Sequence, residues 1–549
     1  MPREYRLYGP PGTGKTTWLT AKARATERAR GPNTIAIVSF TRAAAAELRG
    51  RDLRVEDHQL GTLHSFALRA IGRMPVIGHE ELAEWNLKYP RYALKDSLDA
   101  RMIDDGGILP GGATDGDRLF SFHSLYRAKM TPRDQWAPSV REFADAWDGW
   151  KQDIASVDFT DMIEMAYQDC DTFPGDPEVI LADEAQDLSA LELALLRKWG
   201  KAADTLVLCA DDDQTIYEFK GASPMAFLDP PVPDEDQEVL SQSYRVPRAI
   251  QAFSQQWIEK VHHRKEKTYL PREEEGEIRR STAKYRAPES LVRLIDDALQ
   301  EDYSGDERSG SIPDVMVLTS CAYMLQPLIS TLRSLGYPFY NPYKTNRGDW
   351  NPLGPRGRVT TTVDRVLAYL APSLAMETGQ GSDMWTNDQV AKFVPLIATK
   401  GNLRRGAKKK LGDQNPEHLY RTADMDWLMA EIFEEHAFSA ALDGDLDWLQ
   451  ANLVGARSKG LEFPMRVIRR EGVAALSKSP RIAVGTIHSV KGGEAQHIIL
   501  LPDLSSAGYH SLTETTEGPD AIRRTFYVGI TRARHTLTIC APSGPAVMI

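Results

Sequence analysis

Residues 9–16 read Gly-Pro-Pro-Gly-Thr-Gly-Lys-Thr, a spacing made for holding phosphate. Glycines at 12 and 14 let backbone N–H groups wrap an anion, and a helix starting there adds the positive end of its dipole. Lys15 offers a point charge to β- and γ-phosphates, and Thr16 offers a hydroxyl to a divalent cation. The predicted nucleotide cradle is Gly9, Pro10, Pro11, Gly12, Thr13, Gly14, Lys15, Thr16 and Thr17.

Residues 178–187 (EVILADEAQD) add an acidic pair. An apolar strand would deliver Asp183 and Glu184 to its carboxyl end, where open α/β sheets bind ligands. One carboxylate can hold Mg²⁺, with Thr16 as its companion, and the other can activate a water. Lys15, Asp183 and Glu184 are therefore catalytic candidates, and Thr16 and Asp183 are the metal candidates.

These groups need a parallel sheet to position them. Residues 5–60 read as strand, Gly-rich loop, helix, strand, helix. TIAIVSF (34–40) is a short β-rich run, and RAAAAELR (42–49) is a strong helix former. The rhythm breaks over 71–170, a helical stretch carrying Trp85, Trp136, Trp147 and Trp150, and returns at 178–196 and 205–210. DPPVPDEDQE (229–238) reads as a linker. A second α/β block begins near 240, with strands expected at 314–319 and 337–340. It is interrupted over 345–475, resumes at 481–501 and closes with 523–541. The fold class is therefore α/β, two parallel-sheet domains each carrying a mostly helical insertion.

The 549-residue chain has a formal charge of −11, 42% hydrophobic and 26% charged residues, which excludes a mainly disordered protein. No apolar run approaches the ~18 residues of a membrane span, and the N-terminus has no apolar signal core. Cys170, Cys209, Cys321 and Cys540 are too far apart for a Cys-x-x-Cys metal site. Reduced cysteines and a cytoplasmic location are expected. The acidic total argues only weakly against nucleic acid, because local patches decide that.

Further segments follow in order: GTLHSFALRA (61–70), CADDDQTIYEFKGA (209–222), SQSYRVP (241–247), VGTIHSVKGGEA (484–495) and RRTFYVGITRAR (523–534). With these the chain resembles the UvrD/Rep-like superfamily 1 DNA helicases, over about 300 residues of the two α/β blocks. The resemblance implies two RecA-like P-loop motor domains. The first would comprise 1–70 and 171–236, with 71–170 inserted. The second would comprise 237–344 and 476–549, with 345–475 inserted as a candidate duplex contact. It implies ATP and Mg²⁺ as cofactors, and single-stranded DNA and ss/ds junctions as partners, with no membrane.

The resemblance also assigns residues. Gln214 looks like the γ-phosphate sensor, and Arg245 and Arg532 like the two arginines placed on the γ-phosphate. Tyr244 resembles the aromatic that stacks on adenine, and Glu494 the acid on the ribose. Phe40, Thr41 and Arg42, then Thr62 and His64, then Tyr217, Phe219 and Lys220, with His488, are the expected nucleic-acid contacts. Such translocases need flat aromatics for bases and donors for phosphates. NLRRGAKKK (402–410) carries five positive charges and reads as a solvated face or as a contact to duplex phosphates.

Three departures stand out. Only eight residues precede Gly9, so the family's glutamine element is missing and loose base selectivity is expected. Lys491-Gly492-Gly493-Glu494-Ala495 replaces Lys-Gly-Leu-Glu-Phe. The chain stops soon after Ala541, like a reduced version of the family. The expected activity is a 3′→5′ ATP-dependent helicase and translocase. The alternatives are a translocase that strips proteins from single strands with little unwinding, and a binding module without turnover.

Overall fold

The computed structural model describes residues 3–31, 33–40, 55–56, 58–95, 113–341, 350–354, 360–379, 382, 384–412, 421–455 and 460–549. Thr41, Arg42 and the expected helix 42–49 lie outside them. The chain divides into two compact units. One is Met1–Thr282, Leu318–Ala322 and Thr486–Ile549, and the other is Ala283–Val317 and Tyr323–Gly485.

Among the described residues twelve strands form two parallel sheets. They are β1 (Arg3–Tyr8), β2 (Ile35–Ser39), β3 (Leu60–Thr62), β4 (Val179–Ala182), β5 (Thr205–Ala210), β6 (Gln237–Val239), β7 (Glu277–Arg280), β8 (Val315–Thr319), β9 (Phe339–Tyr340), β10 (Ile482–Thr486), β11 (Ala495–Leu500) and β12 (Ala533–Ile539). The orders are β3-β2-β4-β5-β1-β6 and β7-β12-β11-β8-β10-β9.

The first sheet lies wholly in the first unit. Its central strands β2 and β4 are buried along their whole length, so their apolar runs face cover on both sides. Because the strands are parallel, the chain leaves β1, β2, β3, β4 and β5 at the same edge. That edge collects the phosphate loop, Phe40, Thr62, the acidic pair and the 211–214 turn.

The stretch expected to be a linker is instead tied down. Arg6, itself buried, donates from Nη1 to the Leu228 carbonyl (2.7 Å) and from Nη2 to that of Pro230 (2.5 Å). The stretch then ends as edge strand β6 beside β1. A buried guanidinium must find acceptors, and these carbonyls supply them.

Within 71–170 the described residues are largely helical, with helices His79–Lys88, Asp115–Ala128, Pro138–Asp153 and Phe159–Asp169. Trp85, Trp147 and Trp150 form a common core with Phe143, the Trp85 and Trp147 rings 4.8 Å apart and nearly perpendicular. Beside it, buried Arg127 and Lys151 neutralise Asp158 and Asp161. Asp158 also caps the helix that follows it.

The second unit has its own core, from Val363 to Leu476, centred on Tyr369, Trp385, Phe393 and Phe433. In its basic segment Lys410 pairs with Glu431, and Lys408 donates to the Ile397 carbonyl. Arg405 and Lys409 are exposed. No helix is long and apolar enough among the described residues to cross a membrane. None of the four cysteines is in a disulfide among the described residues, and three of them are buried.

Candidate active site

Every group described below belongs to the first unit. The phosphate loop leaves β1 with Gly9 N–H bonded to the Ala210 carbonyl (3.1 Å). Gly12 and Gly14 have φ of +77° and +82°, the left-handed region that other residues enter at a cost. Gly12 is doubly constrained, because a Cβ there would sit 2.5 Å from Arg245 Cβ and 2.8 Å from Ser243 Oγ. The helix Lys15–Arg30 follows directly, so the N–H groups of its first turn point into the loop. Lys15 Nζ folds back to the Gly9 carbonyl (2.6 Å).

The segment 243–245 packs on the loop's other side. Tyr244 N donates to the Gly12 carbonyl (2.8 Å), while Ser243 Oγ (2.9 Å) and Tyr269 OH (3.0 Å) donate to that of Pro11. Tyr244 itself is 65% exposed, leaving its ring free beside the loop.

Thr16 Oγ1 donates to Asp183 Oδ2 (3.1 Å), which brings together the two expected metal ligands. This pair of hard oxygens suits Mg²⁺, which takes few protein ligands and completes its shell with phosphate and water. Burial, then the neighbouring Glu184 charge, pushes the Asp183 carboxyl up to about 6. Burial acts on Glu184 in the same direction, but the Lys491 and Lys15 charges outweigh it and hold Glu184 below the usual carboxylate range. Glu184 has φ +53°, a strained conformation for a residue with a side chain. Its Oε2 accepts from Gln186 Nε2 (2.5 Å).

Gln214 and Arg532 meet. Arg532 Nη2 donates to Gln214 Oε1 (3.0 Å), Nε to the Val528 carbonyl (2.8 Å) and Nη1 to that of Gly493 (3.2 Å). Its side chain is 1% exposed. Arg245 Nε donates to Glu494 Oε2 (2.5 Å), and Arg534 Nη1 lies 3.5 Å from the other oxygen. Glu494 therefore sits on two guanidinium groups.

Four of the nucleic-acid candidates, Phe40, Tyr217, Phe219 and His488, gather beside this cluster. The ring centroids of Phe40 and Tyr217 are 5.0 Å apart, those of Tyr217 and Phe219 5.9 Å, and those of Phe219 and His488 5.9 Å. Tyr217 is 6% exposed and donates its hydroxyl to the His488 carbonyl (3.2 Å), whereas Phe40 and Phe219 keep partial exposure. Burial pushes the His488 imidazole down to about 4. Phe219 and His488 line a cleft of about 560 Å³ with Ser320, Ser505, Ser511 and Thr515. Thr62 caps the helix Leu63–Ala70, accepting from Ser65 N–H. His64 lies 3.6 Å from Glu192 and edge-on to Phe159. Lys220 lies in the same short turn as Phe219, Glu218–Lys220.

Two sets of residues escaped sequence reasoning. Lys491 pairs with Asp187, donates to the Gln214 carbonyl (2.6 Å) and stands 3.9 Å from Glu184. Burial pushes the Asp187 carboxyl up to about 7, against the Lys491 charge. Both residues lie inside motifs already quoted, so a signal existed. Arg264 and Lys267, which hold the acids 211–213, lie in a charged run that gave none.

Comparison with known proteins decides the family. Residues 3–220 match the model of an AAA domain, and residues 481–540 match that of a UvrD-like helicase C-terminal domain, together just over half of the chain. The chain belongs to the UvrD/Rep-like superfamily 1 helicases.

Among its relatives, YjcD of Bacillus subtilis (strain 168), which bears an ATP-dependent DNA helicase name, is 23% identical over 606 aligned residues. That alignment covers 97% of this chain and 76% of YjcD. ATP-dependent DNA helicase PcrA of Staphylococcus aureus (strain NCTC 8325 / PS 47) is 24% identical across 47% of this chain and 38% of PcrA. The chain thus spans three quarters of one relative and well under half of the other. Membership in this family implies nucleotide use and a DNA substrate.

Proposed function

We propose that this chain is a DNA-dependent ATPase that moves 3′→5′ along single-stranded DNA and unwinds duplex at ss/ds junctions. The observation that carries the reading is the short path through residues 214–219. Gln214 meets Arg532 with its side chain and Lys491 with its carbonyl. Three residues later, Tyr217 begins the aromatic cluster with Phe219, Phe40 and His488. A change at the phosphate side would thereby reach the base-stacking side through a few residues of chain that join two short helical turns. The domain division that goes with this proposal is two motor domains, 1–70 with 171–236 and 237–344 with 476–549, carrying insertions 71–170 and 345–475.

ATP would lie with its phosphates in the Gly9–Thr17 loop and its base against the exposed ring of Tyr244. Thr16 and Asp183 would hold Mg²⁺, which supplies charge neutralisation on the β- and γ-phosphates. Glu184, kept ionised by Lys491 and Lys15, takes the proton of the attacking water. Arg532 and Arg245 stabilise the charge that builds on the transferring phosphoryl group. Glu494 acts by positioning Arg245. On the DNA side Phe219 and Phe40 stack with bases over Tyr217 and His488, with Thr41, Arg42, Thr62, His64 and Lys220 along the strand. Arg405 and Lys409 of the second unit are suited to duplex phosphates.

Strand displacement tested beside DNA-stimulated ATP hydrolysis decides among the readings. Unwinding of duplexes with a 3′ tail supports the helicase, and preference for a 5′ tail contradicts the polarity, whose warrant is the family resemblance. Hydrolysis without unwinding supports a translocase that clears proteins from single strands. Absence of both points to a binding module.

Phe219→Ala removes one stacking platform, worth on the order of 1–3 kcal/mol per base. Single-strand affinity is expected to fall accordingly while DNA-free ATPase stays intact. Fluorescence anisotropy with a labelled oligonucleotide measures it. An unfolded variant would assign Phe219 to packing instead.

A further inference from the structure

The acids Asp211, Asp212 and Asp213 are all buried, and so is the cation that meets them. Lys267 Nζ stands 3.3 Å from Asp211 Oδ1, 2.5 Å from Asp212 Oδ1 and 2.9 Å from Asp213 Oδ2, with its side chain 1% exposed. Arg264 grips Asp213 through both oxygens, Nε at 2.8 Å and Nη2 at 2.7 Å. Lys265 N–H donates to Asp212 Oδ2 (2.8 Å).

Asp211 also faces the phosphate side. Its Oδ2 accepts from Gln214 Nε2 (2.8 Å), and Gln214 Oε1 accepts from Arg532 Nη2 (3.0 Å). An amide fixed through its nitrogen presents its oxygen in one direction. The Asp211 N–H donates to Gln186 Oε1 (3.1 Å), and Gln186 Nε2 donates to Glu184 Oε2 (2.5 Å). One aspartate therefore touches the arms that lead to Arg532 and to Glu184, and Lys267 is the cation on it.

We infer that Lys267 is a positioning residue for ATP hydrolysis, anchoring Asp211 so that the Gln214 amide keeps its oxygen on Arg532. The inference rests on the reading of Gln214 and Arg532 as γ-phosphate groups. A buried carboxylate without its cation takes up a proton, and the neutral acid is a weaker acceptor than the carboxylate. Gln214 Nε2 would then be held less firmly, and the amide would be freer to turn its oxygen away from Arg532. Burial pushes the Asp211 carboxyl up, and the Lys267 charge is the first influence pulling it back. Burial works against the Lys267 ammonium too, but the charges of Asp213, Asp212 and Asp211 outweigh it and hold it above the usual range.

The test is steady-state, DNA-stimulated ATPase of the full chain carrying Lys267→Met or Lys267→Arg, each with Gln214 intact and with Gln214→Ala. Lys267→Met is expected to lower kcat by about 10- to 100-fold, part of what an arginine finger supplies, and to leave KM for ATP within about threefold. Lys267→Arg, which keeps the charge, restores most of kcat. With Gln214→Ala already present, Lys267→Met costs less than about threefold more, because the amide it orients is gone. Equal losses in both backgrounds, or a loss confined to KM, overturn the inference. Should Lys267→Met fail to fold, Asp211→Asn removes the same anchor at lower cost in buried charge. Its kcat must then fall with KM retained, and a wild-type kcat overturns the inference. A wild-type chain that hydrolyses no ATP overturns the function reading itself, before any variant is compared.

Discussion

Glu184→Gln is expected to lower kcat for DNA-stimulated ATP hydrolysis by about 10³-fold, within the range that a positioned general base supplies. Binding of ATP and of single-stranded DNA should stay within a few-fold of wild type. Glutamine keeps the shape of the side chain and cannot accept the proton of the attacking water. The two adjacent carboxylates are driven apart by their surroundings. Asp183 is pushed up to about 6 by burial and by its neighbour, while Lys491 and Lys15 hold Glu184 down. Such separation divides labour between a metal ligand and a base. The left-handed backbone at Glu184 fixes where its carboxylate points. Phosphate release at saturating ATP and DNA is the measurement. Residual hydrolysis within tenfold of wild type would remove Glu184 from the role.

Arg532→Ala is expected to lower kcat by about 10³-fold or more, the effect of losing an arginine that stabilises the transferring phosphoryl group. Nucleotide affinity should fall far less, because the phosphate loop is untouched. Arg532 is buried and held at three points, by the Val528 and Gly493 carbonyls and by Gln214. Its guanidinium is thus pre-aimed, and little ordering remains to be done during the reaction. Arg532→Lys should recover little, since an ammonium cannot reproduce the planar fork. Stopped-flow binding of a fluorescent nucleotide beside single-turnover hydrolysis separates the two effects. An unchanged kcat in the alanine variant would refute the assignment.

The fold class was legible because each local signal has a local cause. The loop at 9–16 needs glycines at positive φ before a helix, and Gly12 and Gly14 show that conformation. The run VILA at 179–182 is apolar at every position because a central parallel strand is covered on both faces. The stretch 71–170 reads as helical with four tryptophans, and the structure adds that Trp85, Trp147 and Trp150 share one core while Trp136 sits in a smaller cluster. The stretch 229–238 was misleading: prolines and acids read as a linker, while Arg6, far away in sequence, pins it beside β1.

By itself the sequence determined which residues could do phosphate chemistry, and that parallel strands would carry them to one edge. Spacing suffices there, because a strand followed by a turn fixes the direction of the next few side chains. Only the tertiary structure decided which charges meet. Lys491 joins Asp187 and Gln214 across some 300 positions, Glu494 lands on Arg245, and Lys267 reaches Asp211, Asp212 and Asp213. A lysine in His-His-Arg-Lys-Glu-Lys is indistinguishable in sequence from one in a solvated charge run. Its burial among three carboxylates follows from packing between distant segments, and that packing sets both its charge and its purpose.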